Sequence, residues 1–164
     1  MKNVVCIKHP LVEHSLTILR NKYTGTEEFR KHAAVVSKIL LIEATKRFGL
    51  SSYKIETPLL PMVGKKLKDQ MVAVPVLRAG LAMLFALNDF LPAVSVGFIG
   101  LERDEKTAIA REYYQKLPEI FSSHQVLVLD PMLATGGSFD ETVALLKKKG
   151  AEKEKGKYKH KHRV

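Results

Sequence analysis

Apolar residues between positions 29 and 48 recur at steps of four and three, placing Phe29, Ala33, Val36, Leu40, Ala44 and Phe48 on one stripe. That spacing predicts an amphipathic helix. Thr24-Gly25-Thr26 opens it, Glu27 and Glu28 occupy its first turn, and Gly49 closes it. Upstream, His9-Pro10-Leu11-Val12 reads as an extended entry into a short helix. Residues 50–69 show no regular period. Pro58, Pro61 and Gly64 punctuate them and Lys65, Lys66 and Lys68 cluster there, so they are expected to form a loop.

Three short aliphatic runs follow, at Met71–Leu77, Val94–Ile99 and Gln125–Leu129. Each is continuously apolar, which is what a parallel strand covered on both faces requires. Helical patterns lie between and after them, at Leu81–Leu87 and Thr142–Lys149. The alternation predicts an α/β fold, an open and mostly parallel sheet with flanking helices. Ligands of such sheets bind beyond the carboxyl ends of the strands, which directs attention to the residues after each run. The apolar stretch from Ala79 to Leu101 is long enough to suggest a membrane span, but Asn88-Asp89 and Pro92 interrupt it. A charged carboxylate at the bilayer centre costs about 3 kcal/mol, so a buried helix–strand pair is the better reading.

The chain has 164 residues, which at about 150 per domain predicts one globular unit. Hydrophobic residues make up 46% and charged residues 27%, values of an ordinary globular protein that exclude collagen-like, mucin-like and coiled-coil classes. The single cysteine, Cys6, excludes an internal disulfide framework. It lies in the aliphatic run Val4-Val5-Cys6-Ile7 and is expected to be a packed thiol. No charged-then-apolar leader is present at Met1–Lys8, so a cytoplasmic location is expected. The net charge of +10 changes meaning once located. Between Lys147 and Val164, eight lysines and one arginine stand against two glutamates, so +7 of the total belongs to the tail. A dedicated nucleic-acid partner is therefore not expected from the body of the chain. His9, His14, His32 and His124 have no metal-ligand spacing and are read as non-functional.

The richest chemistry follows the third run. Leu129 leads into Asp130, Pro131, Met132, Leu133, Ala134, Thr135, Gly136, Gly137 and Ser138. Gly136 and Gly137 allow the backbone to approach an anion closely. Their N–H groups and a following helix N-terminus carry partial positive charge suited to phosphate, while Thr135 and Ser138 add hydroxyl donors. Asp130 can accept hydrogen bonds from sugar hydroxyls. Neither a dinucleotide fingerprint nor a Walker loop is present.

This aliphatic strand, acid and Ala-Thr-Gly-Gly-Ser loop resembles the phosphoribosyl-pyrophosphate (PRPP) loop of type I phosphoribosyltransferases. Asp130-Pro131, where most of them carry two adjacent acids, is similar to the uracil phosphoribosyltransferase family in particular. Lys8-His9-Pro10-Leu11-Val12, Val74–Leu81 and Tyr113-Tyr114-Gln115-Lys116-Leu117-Pro118 agree with it. The resemblance implies transfer of phosphoribose from PRPP to uracil in pyrimidine salvage, giving UMP and pyrophosphate, with Mg²⁺ bound through PRPP. It implies that Arg78, Arg103 and Asp130 are the catalytic residues. The PRPP site would comprise these three with residues 131–138. A guanidinium suits phosphate because its forked donors match two oxygens. The polar stretch Glu102–Glu112, a solvated loop on its own terms, would be a hood over PRPP.

The similarity ends near Gly150, so residues 1–150 are expected to form the phosphoribosyltransferase core and 151–164 a disordered lysine-rich tail. A frameshift or truncation is expected there, and no residue is assigned to uracil. Two rival readings keep the fold: a non-catalytic PRPP-binding protein, and an RNA-binding pyrimidine regulator using the basic tail. The family also implies a homo-oligomer, and no membrane partner is expected.

Overall fold

The computed structural model describes residues 4–103, 110–132 and 137–151. Two helices packed on each other come first. Helix α1 spans Pro10–Arg20, with proline at its start and His9 Nδ1 accepting the Leu11 N–H. Helix α2 spans Thr26–Thr45 with Gly25 as its N-cap. Its buried face differs from the expected stripe. Leu41 and Ser37 are buried, whereas Phe29 and Leu40 are exposed. The face is turned because α2 must contact α1 along one side and α3 along another, which a single stripe cannot show.

Residues 50–69, expected to be a loop, instead form a hairpin of β1 (Leu50–Glu56) and β2 (Pro61–Leu67). The two pair antiparallel in unbroken register from Leu50–Leu67 to Glu56–Pro61 and form their own two-stranded sheet. Thr57 ties the turn, its hydroxyl donating to the Leu60 carbonyl and accepting the Leu60 N–H. Pro61 is tolerated as the first residue of a strand.

The main sheet is built on β3 (Met71–Leu77), buried from Val72 to Val76. On one side β3 pairs in parallel with β7 (Gln125–Leu129). On the other it pairs with β4 (Ser95–Val96) and then β5 (Phe98–Arg103), also in parallel. The run read as one strand is thus broken at Gly97, where an added Cβ would lie 2.9 Å from Pro118 Cδ. Strand β6 (Ala110–Lys116) closes that side antiparallel to β5, and it lies partly in the stretch expected to be a loop. Helices cover both faces. On one side α3 (Leu81–Asn88) and α2 bury Leu41, Ala73, Leu84, Leu87 and Leu129. On the other α4 (Gly137–Lys148) packs Leu146 against Val72, Val74, Ile99 and Ile120. Helix α4 ends as a Schellman cap, with Gly150 at φ +100° and Ala151 N–H donating to the Leu146 carbonyl.

Cys6 is exposed, not packed, because the segment before α1 is no strand of the sheet. The stretch 79–101 is the helix, turn and strand its interruptions predict, and among the described residues no helix is long and apolar enough to cross a membrane. The tail from residue 152 lies outside the described residues.

Candidate functional site

Because β3, β5 and β7 run parallel, their carboxyl ends open on one rim of the sheet. The residues there are those singled out from sequence. Arg78 follows the last residue of β3 and is exposed, Arg103 is the last residue of β5, and Asp130 follows the last residue of β7. Pairing fixes their relative level. Pro75 stands opposite Leu129, and Leu77 opposite Gly100. Three charged residues from three strands are thus delivered to one edge.

The turn after β3 is held from within. Gly80 N–H donates to the Val76 carbonyl at 2.9 Å, and the Arg78 and Gly80 carbonyls accept the first N–H groups of α3. The Leu77–Arg78 peptide bond is cis. Gly80 is buried, and an added Cβ would meet the Leu129 carbonyl oxygen and would lie 2.7 Å from Val76 N. Only glycine permits this approach, so the turn carrying Arg78 and the strand end carrying Asp130 are packed backbone to backbone. Sequence reading found Arg78 but not this role of Gly80. Its signal was a glycine placed just before an apolar helix.

Asp130 is half-buried, and one carboxylate oxygen accepts the Met132 N–H at 3.0 Å. Burial pushes its pKa above the ordinary carboxylate value, while the Met132 N–H pulls the other way and is the smaller effect. Pro131 and Met132 are exposed. Leu133, Ala134, Thr135 and Gly136 lie outside the described residues. Gly137 is the first residue of α4 and Ser138 the second, so the helix starts earlier than the expected Thr142. The rim therefore also receives the N-terminus of a 12-residue helix, with its partial positive charge.

Among the described residues no three His, Cys, Asp or Glu side chains form a metal cage. One half-buried carboxylate beside solvent suits an ion that keeps its waters and is carried mainly by substrate oxygens, as Mg²⁺ commonly is. A separate cavity of about 400 Å³, lined by Met71, Pro92, Ser95, Glu119 and His124, opens at the amino ends of β3 and β4. It lies at the other end of the sheet from Arg78 and Asp130; within its lining His124 bonds Gln70, and Asp69 accepts from the adjacent Gln125.

The uracil phosphoribosyltransferase family profile matches residues 5–156. A uracil phosphoribosyltransferase of Clostridium tetani is 46% identical over 153 residues, covering 93% of this chain and 73% of the relative. One from Dictyoglomus thermophilum is 45% identical over 150 residues, covering 91% and 72%. Among solved structures, an Aquifex aeolicus protein superposes with TM-score 0.80 at 34% identity over 88% of this chain and 70% of that one. A hypoxanthine-guanine phosphoribosyltransferase of Bacillus anthracis, at 13% identity and TM-score 0.54 over 74% of this chain and 62% of that one, shares the fold. With the parallel sheet, the strand-end charges and the glycine-containing helix start in place, the chain belongs to the uracil phosphoribosyltransferase family.

Proposed function

We propose that this chain transfers the 5-phosphoribosyl group of PRPP to uracil, yielding UMP and pyrophosphate in pyrimidine salvage. The observation that carries the reading is that Arg78, Arg103 and Asp130 each end or follow one of three parallel strands at the carboxyl side of the sheet, where α4 also follows β7. In this reading the 5′-phosphate sits at the start of α4, against residues 131–138, where backbone N–H groups and hydroxyls suit an anion. Asp130 accepts from the ribose hydroxyls. Arg78 and Arg103 take the pyrophosphate. The N1–C1′ bond to uracil forms as the C1′–oxygen bond to pyrophosphate breaks; pyrophosphate departs with the electron pair, and the proton lost from uracil N1 passes to solvent.

Charge grows on the leaving group and on an oxocarbenium-like ribose, so acceleration comes from positioning and from fixed cations. Mg²⁺ bound through PRPP, with Asp130 the strand-end carboxylate that would help hold it, supplies further neutralisation of the pyrophosphate. No residue is assigned to uracil. Residues 1–150 are read as one catalytic unit working in the cytoplasm.

The chain is also read as a homo-oligomer. Leu59 is 92% exposed on the hairpin, with Leu60, Met62 and Val63 exposed beside it. Exposed apolar residues gathered on one hairpin favour association. Sedimentation of the parent chain and of Val63→Asp tests it; a monomeric parent overturns it.

The function is tested by incubating the purified chain with PRPP, uracil and Mg²⁺, and by titrating PRPP with Mg²⁺ calorimetrically. UMP and pyrophosphate in equal amounts are expected. PRPP binding without UMP supports a non-catalytic binder instead, and no PRPP binding by a folded sample overturns the site.

A further inference from the structure

Two hollows lie side by side at the amino side of the sheet. One is the cavity of about 400 Å³ beside Met71 and Pro92. The other, of about 470 Å³, is lined by residues 115–120 and by Lys149, just past the end of α4. Glu119 lines both.

The first hollow is acidic and partly apolar. Its lining contains two acids, Asp69 and Glu119, and no lysine or arginine. His124 adds no positive charge, because its Nδ1 accepts the Phe121 N–H and its Nε2–H is left to donate to Gln70. Asp69 accepts from the neutral amide of Gln125, and among the described residues neither acid is in an ion pair. Phe90, Leu91, Pro92 and Val94 supply apolar surface beside them. Such a lining complements a cationic segment that also carries an aromatic ring. The second hollow has the opposite character, with Lys116 and Lys149 in its lining.

The chain itself delivers a segment of that composition to this place. An added Cβ on Gly150 would lie 2.8 Å from the Ile120 carbonyl oxygen, so the chain leaves α4 against Ile120, one residue from Glu119. After Ala151 come Glu152 and Glu154, level with the lysine-lined hollow, and then Lys157, Tyr158 and Lys159. Residues 152–164 hold five lysines and Arg163 against those two glutamates. Tyr158 is the seventh residue past Ala151, a reach of up to about 23 Å.

We propose that residues 152–164 dock on their own chain across these two hollows, with Tyr158 on the apolar wall and Lys157 and Lys159 on Asp69 and Glu119. The order of charges along the segment, acids first and lysines after, matches the order of the hollows it meets. Each exposed ion pair is weak alone. The tether holds the segment at an effective concentration in the millimolar range, so modest contacts suffice. The groove is at the other end of the sheet from Arg78 and Asp130, and the inference stands apart from the catalytic reading.

The test is trypsin cleavage of the full chain at Lys157 and Lys159, followed by mass spectrometry and normalised to free peptides of the same sequences. The parent is expected to be cut about fivefold more slowly than its peptide, equally at low and high protein concentration. Protection should be lost in Tyr158→Ala, in Asp69→Asn/Glu119→Gln and in the parent at about 0.5 M salt. Amide NMR signals of Gln70 and Ser95 should differ between the parent and Tyr158→Ala. Tyr158→Ala changes no described residue, so it decides the matter if the groove variant does not fold. Cleavage of the parent at the peptide rate, or equal protection in every variant, overturns the inference. Protection that grows with protein concentration assigns the segment to a second copy, and protection that appears only with added single-stranded RNA assigns it to RNA; either result overturns docking on its own chain.

Discussion

No β-carbon fits between Gly80 and the carbonyl oxygen of Leu129. Gly80 closes the turn after β3, and Leu129 ends β7 next to Asp130. The contact joins two strand ends of the candidate site through rigid backbone, so a disturbance at one is transmitted to the other. Gly80→Ala forces that backbone apart, and overpacking of this kind costs about 2 kcal/mol or more. Denaturant unfolding should show the loss, and PRPP titration of the folded fraction should show weakened binding. A variant as stable as the parent would mean that the two loops move independently.

Asp130 is predicted to trade stability for binding. Burial raises its pKa, so the folded protein holds this proton more tightly than the unfolded chain does. Stability from this group therefore declines as pH rises from its ordinary value of 3.8 through the raised folded value, and the loss is complete above that. Asp130→Asn removes the charge and keeps an acceptor for Met132. It should be more stable than the parent at pH 7, with the advantage disappearing below pH 3.8. PRPP affinity should fall about tenfold as the ribose hydroxyls lose a charged acceptor. Paired unfolding curves across pH, with PRPP titrations, check both halves.

Arg78 is exposed, so its replacement should separate binding from folding. Arg78→Ala is expected to weaken PRPP binding about 10- to 100-fold, the range of a lost charge-assisted contact, while the unfolding midpoint stays put. Arg78→Lys should recover part of the affinity only, since a point charge lacks the forked donors.

Leu87, on α3, is fully buried against α2 and the sheet, in the cluster that contains Leu41 and Leu129. Leu87→Ala should cost about 2–5 kcal/mol. The exposed ion pair of Lys38 with Asp89, at 2.5 Å, links the same two helices, yet Lys38→Ala should cost about 0.5 kcal/mol or less. Urea denaturation of both variants tests this ranking of packing over surface charge.

How far the fold could be read follows from how local each signal is. The runs 71–77 and 125–129 are β-strands, with bounds as expected, because a strand buried on both faces must be apolar throughout. Arg78 and Asp130 stand out for a related reason: a charge directly after such a run must lie at the sheet's rim. Less was legible where burial does not impose a pattern. Strands β1 and β2 keep both faces largely exposed, so lysines and prolines sit in them and no alternation announces the hairpin. Strand β6 is an edge, and charged residues on edge strands are normal.

Composition and local pattern were enough for the fold class and the central strands, since desolvation and strand geometry act residue by residue. Tertiary structure alone decided that α2 buries Leu41 in place of Leu40, that Gly97 breaks a strand, and that Tyr113 bulges over Gly100. Those outcomes depend on which distant segment occupies the adjoining space, and close packing leaves one arrangement that fits.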